Sequence, residues 1–226
     1  PLASNGSIMT AANVRQKLKD IRKRDGKVVV IDPRRTETAD IADEHHFIRP
    51  GTDILLLLAM LNEIYAQGFI KESQASALSD ELTQVKDLAK GYTPDNVAPL
   101  IGITSEEIKR LVKEYCEAPS AVLYGRMGVS VQEFGLLSQY LIMLINLVTG
   151  RIDVEGGLMF PDPAVDIVNS SGPGYLGKRK TRVRQLPDFN GDFPVVAMSE
   201  EMLTPGEGQI KGFINIAGNP VLSTPN

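Results

Sequence analysis

Four β-branched residues in succession, Val28, Val29, Val30 and Ile31, constrain this chain more than any other feature. A run that is apolar at every position, not at every second one, suits a parallel strand buried on both faces, and parallel strands require crossover helices. The stretch therefore predicts an α/β fold. It stops at Asp32, followed by Pro33, Arg34, Arg35 and Thr36. A carboxylate, two guanidiniums and two hydroxyls, those of Thr36 and Thr38, thus gather at the carboxyl end of a strand, where open α/β sheets bind their ligands. Further on, Gly51, Thr52 and Asp53 open a strongly apolar helix and put a second carboxylate beside backbone N–H groups without intrahelical partners. Two acids for a polar base or ribose, and a basic pair for phosphates, describe a nucleotide site.

The rest of the chain supplies the helices. Val14, Leu18 and Ile21 share one face of a helix predicted over 9–25, closed by Arg22, Lys23, Arg24 and Gly26. The loop before it, with Ser4, Asn5 and Gly6, reads either as a turn and cap or as a phosphate- or ribose-contacting loop at a helix N-terminus. A short helix is expected over 36–43 and a short strand over 46–49. A core helix is expected over 52–67, where Ile54 to Leu61 are all apolar. His45 and His46 are adjacent, so on a strand they point to opposite faces; they read as structural and not as a metal pair. Residues 71–93 read as a polar surface helix and turn. Thr104 and Glu107 form a capping box ahead of the stripe Ile108, Leu111, Val112 and Tyr115, with Cys116 as a packing residue. A strand over 120–124 runs into Gly125, Arg126, Met127 and Gly128, where glycine admits close approach and arginine can fork onto phosphate oxygens. A core helix over 133–149 follows.

From Gly150 the texture becomes loop-rich and punctuated by Pro and Gly, which places a domain boundary near residues 157–163. Residues 1–158 are the expected first domain, and 159–226 a linker and the start of a second, incomplete α/β domain. The basic run from Lys178 to Arg184 reads as a solvated charged loop in preference to a contact with cofactor phosphates or an acidic partner. Residues 212–218 read as a buried strand with Asn219, Pro220, Ser223 and Thr224 at its carboxyl end.

Composition narrows the function classes. Hydrophobic residues at 42% and charged residues at 23% fit a globular chain, and a net charge of −4 gives no support to nucleic-acid coating. The single cysteine excludes an internal disulfide framework and cannot by itself hold an iron–sulfur cluster. No apolar run approaches the ~20 residues of a membrane span. A nicotinamide-type Rossmann domain would need a glycine-rich fingerprint where the chain has only Gly6. That reading and a non-catalytic nucleotide-binding or interaction domain both stay open as alternatives.

The strings IDPRRTETADIAD, RPGTD, YGRMGVSVQEFG, TGRIDVEGG and AGNPVLSTPN together resemble the molybdopterin oxidoreductase family, which includes formate dehydrogenases and nitrate reductases. The match follows nearly the whole chain in order and is weakest between Phe160 and Lys211. The resemblance implies a doubly wound, mostly parallel, Rossmann-like sheet. It also implies a parent enzyme with molybdopterin guanine dinucleotide carrying molybdenum or tungsten, and a 4Fe-4S cluster held outside this segment. Such an enzyme moves an electron pair or an oxygen atom to or from a small substrate. The cofactor-binding positions it implies are Ser4, Asp32, Pro33, Arg34, Thr36, Gly51, Thr52, Asp53, Gly125, Arg126, Met127, Gly128, Gln132, Asn219 and Ser223, with Asp53 on the guanine. No catalytic residue or metal ligand is expected here. The chain is expected to be an internal fragment, inactive alone. Its expected partners are the rest of its parent, a small-molecule substrate and an electron-transfer subunit, in the cytoplasm in preference to the periplasm.

Overall fold

The computed structural model describes residues 12–77, 79, 82–160, 162–165 and 175–223. It comprises two compact units, residues 1–160 and 161–226. In the first, strand β1 (Val29–Ile31) pairs in parallel with β2 (Glu44–His46), Val30 lying opposite His45. Val28 and Val30 pack with Ala39 and with Leu18 and Ile21 of helix α1 (Val14–Lys23). Ile31 and Val29 instead join the main core. The strand is covered on both faces, as its unbroken apolar run requires. The α/β class follows, with a small parallel sheet that holds β1 and β2 among the described residues. β2 begins earlier than the strand expected over 46–49, because Asp43 accepts the Val28 N–H at 2.8 Å and starts the pairing there. Past His46 the chain leaves the ladder, and the Arg49 N–H bonds the Ile101 carbonyl at 2.8 Å.

Between the strands, Thr36 caps helix α2 (Glu37–Asp40), its hydroxyl accepting the Ala39 N–H at 3.3 Å. Helix α3 (Asp53–Gln67) is the centre of the unit: Leu56, Leu57, Ala59, Leu61 and Ile64 are fully buried. Each large aliphatic side chain so buried stabilises by roughly 1.5–3 kcal/mol. The predicted surface helix over 71–93 is two helices, α4 (Gln74–Ala77) and α5 (Leu82–Ala89), and α5 buries Val85 and Ala89 against α3. Sequence reasoning missed α6 (Pro94–Ile101), although its signals are plain: Thr93 accepts the Asn96 N–H, Pro94 stands in the first turn, and Gly102 ends it at φ 84°. The capping box opens α7 (Ser105–Glu117) as expected, and Cys116 is buried within it.

The strand expected over 120–124 does not form a ladder among the described residues. Its backbone is met by a side chain instead. Asn146, fully buried in helix α9 (Gly135–Val148), accepts the Leu123 N–H at 3.1 Å and donates to the Leu123 carbonyl at 2.9 Å. The amide thus does locally what a neighbouring strand would do. Short helix α8 (Met127–Ser130) connects this segment to α9. Beyond α9, the buried Arg151 donates to the carbonyls of Pro119, Tyr115, Cys116 and Ala118, satisfying the carbonyls that α7 leaves open at its end.

The second unit contains an antiparallel hairpin of β3 (Leu176–Lys180) and β4 (Pro187–Phe189), a 3₁₀ turn at Val195–Ala197, and helices α10 (Met198–Leu203) and α11 (Pro220–Ser223). Two expectations fail here. The basic run is solvated at Lys178, Arg179, Lys180 and Arg184 but is not a loop: Lys178 to Lys180 belong to β3, and the residues after them form the turn into β4. Arg182 donates to the Thr204 carbonyl at 2.6 Å, and Glu201 accepts the Val183 N–H at 2.8 Å. Residues 212–218 form no strand among the described residues, and Ile214 and Ile216 are 86% and 85% exposed. An apolar run becomes a buried strand only where another backbone pairs with it, and none does among the described residues. No helix among the described residues is long and apolar enough to cross a membrane.

Candidate functional site

A cleft of about 510 Å³ opens in the first unit, lined by Asp32, Pro33, Arg34, Thr36, Pro50, Gly51, Asp53, Met127, Gly128 and Gln132. Three distant segments build it: the carboxyl end of β1, the entry to α3, and α8 with the turn after it. Asp32 extends the parallel pairing by one step, its N–H bonding the His46 carbonyl at 3.2 Å. Its Oδ1 accepts the Arg34 N–H at 2.8 Å, an Asx turn that swings the chain away from the sheet. Behind it, His45 Nε2 lies 3.0 Å from the Asp32 carbonyl, the acceptor that sets Nε2 as the protonated nitrogen. The Arg34 guanidinium makes no hydrogen bond or ion pair among the described residues. Arg35 turns away to Asp40 at 2.8 Å, so the expected basic pair is one cation at the cleft.

At the entry to α3, Gly51 takes φ 82°, a conformation that L side chains rarely adopt. Thr52 does not line the cleft; it donates its hydroxyl to the Arg49 carbonyl at 2.7 Å, holding the turn. Asp53 follows, 1% exposed. Its Oδ2 accepts Gln132 Nε2 at 2.7 Å, while the second Gln132 amide hydrogen goes to the Gly128 carbonyl at 2.8 Å. Asp53 Oδ1 is buried and has no hydrogen-bond partner among the described residues. Burial pushes the Asp53 carboxyl above the usual carboxylate range and the neighbouring charge of Asp32 adds to this, whereas the Gln132 hydrogen bond and its own backbone N–H draw it partly back.

Nine of the ten cleft residues are positions expected from sequence, and Pro50 is the addition. Others fall elsewhere. A Cβ on Gly125 would stand 2.5 Å from Ile142 Cδ1, so this glycine serves the packing of α9 and does not line the cleft. Arg126 precedes α8 and bonds the Tyr124 hydroxyl at 3.2 Å; it too is not a lining residue. Asn219 and Ser223 belong to the second unit, Asn219 exposed just before α11. Ser4 lies outside the described residues. Among the described residues no cluster of His, Cys, Asp and Glu could hold a metal ion. Cys116 is buried, and burial pushes its thiol up to about 11.

The family model described as molybdopterin oxidoreductase matches residues 6–226. The chain belongs to the molybdopterin oxidoreductase family. Among curated relatives, it is 29% identical over 226 residues to the nitrate reductase of Klebsiella oxytoca, covering 90% of this chain and 25% of that protein. It is 30% identical over 131 residues to formate dehydrogenase H of Escherichia coli strain K12, covering 58% of this chain and 18% of that protein. Among solved structures, acetylene hydratase from Pelobacter acetylenicus shares the fold with a TM-score of 0.61 at 24% identity, over 69% of this chain and 21% of the other. The chain thus spans a quarter or less of each of these relatives.

Proposed function

We propose that the cleft binds the guanosine end of a molybdopterin guanine dinucleotide, and that the chain is the nucleotide-gripping part of a molybdenum- or tungsten-dependent oxidoreductase. The carrying observation is the buried Oδ1 of Asp53, without a hydrogen-bond partner among the described residues, at a strand-end cleft. Such an acceptor costs the fold about 1–3 kcal/mol until a donor reaches it. Guanine offers N1–H and an exocyclic amine side by side; adenine has no such donor pair. In this reading Asp53 takes the base, Asp32 the ribose hydroxyls, and the Arg34 guanidinium a phosphate. Gly51, without a side chain, lets the base approach the backbone.

When bound, the pterin's metal supplies the electron-pair or oxygen-atom chemistry, and this chain's residues supply binding and orientation. The rest of the parent enzyme, its iron–sulfur cluster, a small substrate and an electron-transfer subunit complete the proposal. Support comes from family membership and from relatives whose names are nitrate reductase and formate dehydrogenase. The test is calorimetric titration of the chain with guanosine and adenosine monophosphates. Guanosine monophosphate should bind more tightly, and Asp53→Ala should weaken it roughly tenfold to a hundredfold, the worth of a hydrogen bond to a charged group. Equal binding of the two nucleotides removes the assignment.

A further inference from the structure

We propose that Gln132 is a positioning residue for Asp53, holding one carboxylate oxygen so that the other, unshared among the described residues, faces a base edge that presents adjacent N–H donors. This deepens, and rests on, the reading of the cleft as a guanosine site. The Gln132 amide has two hydrogens, and both are committed to acceptors from different segments: Asp53 Oδ2 at 2.7 Å and the Gly128 carbonyl at 2.8 Å. An amide nitrogen placed between two acceptors cannot flip without turning its own carbonyl oxygen onto a carboxylate. The Asp53 carboxylate is therefore locked. Oδ2 accepts the Gln132 hydrogen and Oδ1 has no hydrogen-bond partner among the described residues, at a residue that is 1% exposed and lines the cleft. Most buried polar side-chain atoms find a partner within the fold, so an unshared carboxylate oxygen at a residue that lines a cleft points to a ligand.

The same contact governs charge. Burial and Asp32 both oppose ionisation of Asp53; Arg34 is the cation lining the cleft, and Arg49 stands in the turn before α3. Gln132 is the side chain whose hydrogen bond favours the ionised form. Without it, Asp53 would hold its proton to higher pH. A protonated carboxyl offers an O–H where guanine also offers hydrogens, and selectivity for guanine over adenine would fall.

The test separates this role from the guanosine reading. In the whole chain, free of ligand, the carboxyl carbon of Asp53 is followed by NMR against pH after aspartate-selective labelling, with Asp53→Asn as the assignment blank. The titration midpoint should rise in Gln132→Met, which keeps the length but removes both donors. It should rise further in Gln132→Glu, which adds a like charge. Gln132→Asn, which retains the amide on a shorter stem, stands in if Gln132→Met does not fold. Calorimetry at neutral pH should show guanosine monophosphate binding about tenfold weaker in Gln132→Met, with adenosine monophosphate unchanged. A midpoint that stays put in these variants overturns the role of Gln132, whatever binds. Equal binding of the two nucleotides to the unmodified chain overturns the guanosine reading instead.

Discussion

Asp53 combines three conditions that carboxylates ordinarily avoid together: burial, a neighbouring acid and an oxygen without a donor among the described residues. Its carboxyl sits above the ordinary value in the folded chain, which makes it a stability liability at neutral pH. In the window between the ordinary aspartate value and the raised folded value, the folded chain keeps a proton that the unfolded chain has released. Stability from this group is therefore present at low pH and lost as pH rises through the folded value. Asp53→Asn should remove that loss. Urea unfolding measured at several pH values should show the variant gaining on the parent as pH increases. A stability difference independent of pH would contradict the raised carboxyl. At this scale the sequence was informative about types and local order, since Gly51 next to Asp53 at a helix start is visible in one dimension. The Gln132 contact was not, because its partner lies 79 residues away.

Among the elements, α9 carries two jobs that its apolar composition conceals. It packs against α3, and through Asn146 it also ties down the extended segment before α8. Asn146 accepts the Tyr115 hydroxyl at 3.1 Å as well, so one side chain links α7, α9 and residue Leu123. Replacing it by leucine keeps the volume and strands several polar groups. Asn146→Leu should cost about 2–4 kcal/mol, read by urea denaturation, since each buried unsatisfied group costs about 1–3 kcal/mol. A loss within about 0.5 kcal/mol, the range of an ordinary surface change, would mean that water replaces the amide. The β-branched character of residues 121–123 is modest, and the strand expected there rested on apolar pattern alone. Periodicity reports burial and says nothing about what pairs with the backbone.

For the whole first unit, the sheet and the helical layer are joined by charges as well as by the core. Glu44 at the start of β2 meets Lys27 and takes two bonds from Arg110 of α7, at 3.1 and 2.8 Å, and Glu114 receives both cations in turn. Held chiefly by Arg110, the Glu44 carboxyl is lowered to about 2. A lowered carboxyl stabilises the fold above the ordinary glutamate value and withdraws that stability as pH falls toward the folded value. The group is partly solvated, so about 1–2 kcal/mol after screening is the expected size. Acid unfolding of Glu44→Gln should be flatter than that of the parent between about pH 4.5 and pH 2. Identical acid profiles would show that solvent cancels the network.

The sequence by itself determined what short-range chemistry controls. The doubly covered strand and its stop at Asp32, the capping box of α7 and the core helix α3 all follow from residue types at near neighbours, where sterics, caps and periodicity act. Only tertiary structure decided which of the expected site residues share a cleft. It brought Asp32, Asp53 and Gln132 together and left Gly125 to pack on Ile142 and Thr52 to brace its own turn. It also left residues 212–218 exposed where their apolar pattern suggested a strand. The reason is the same in each case. A side chain's hydrogen-bond partner, and a strand's neighbour, are chosen by segments far away in the chain, and a linear pattern carries no term for them.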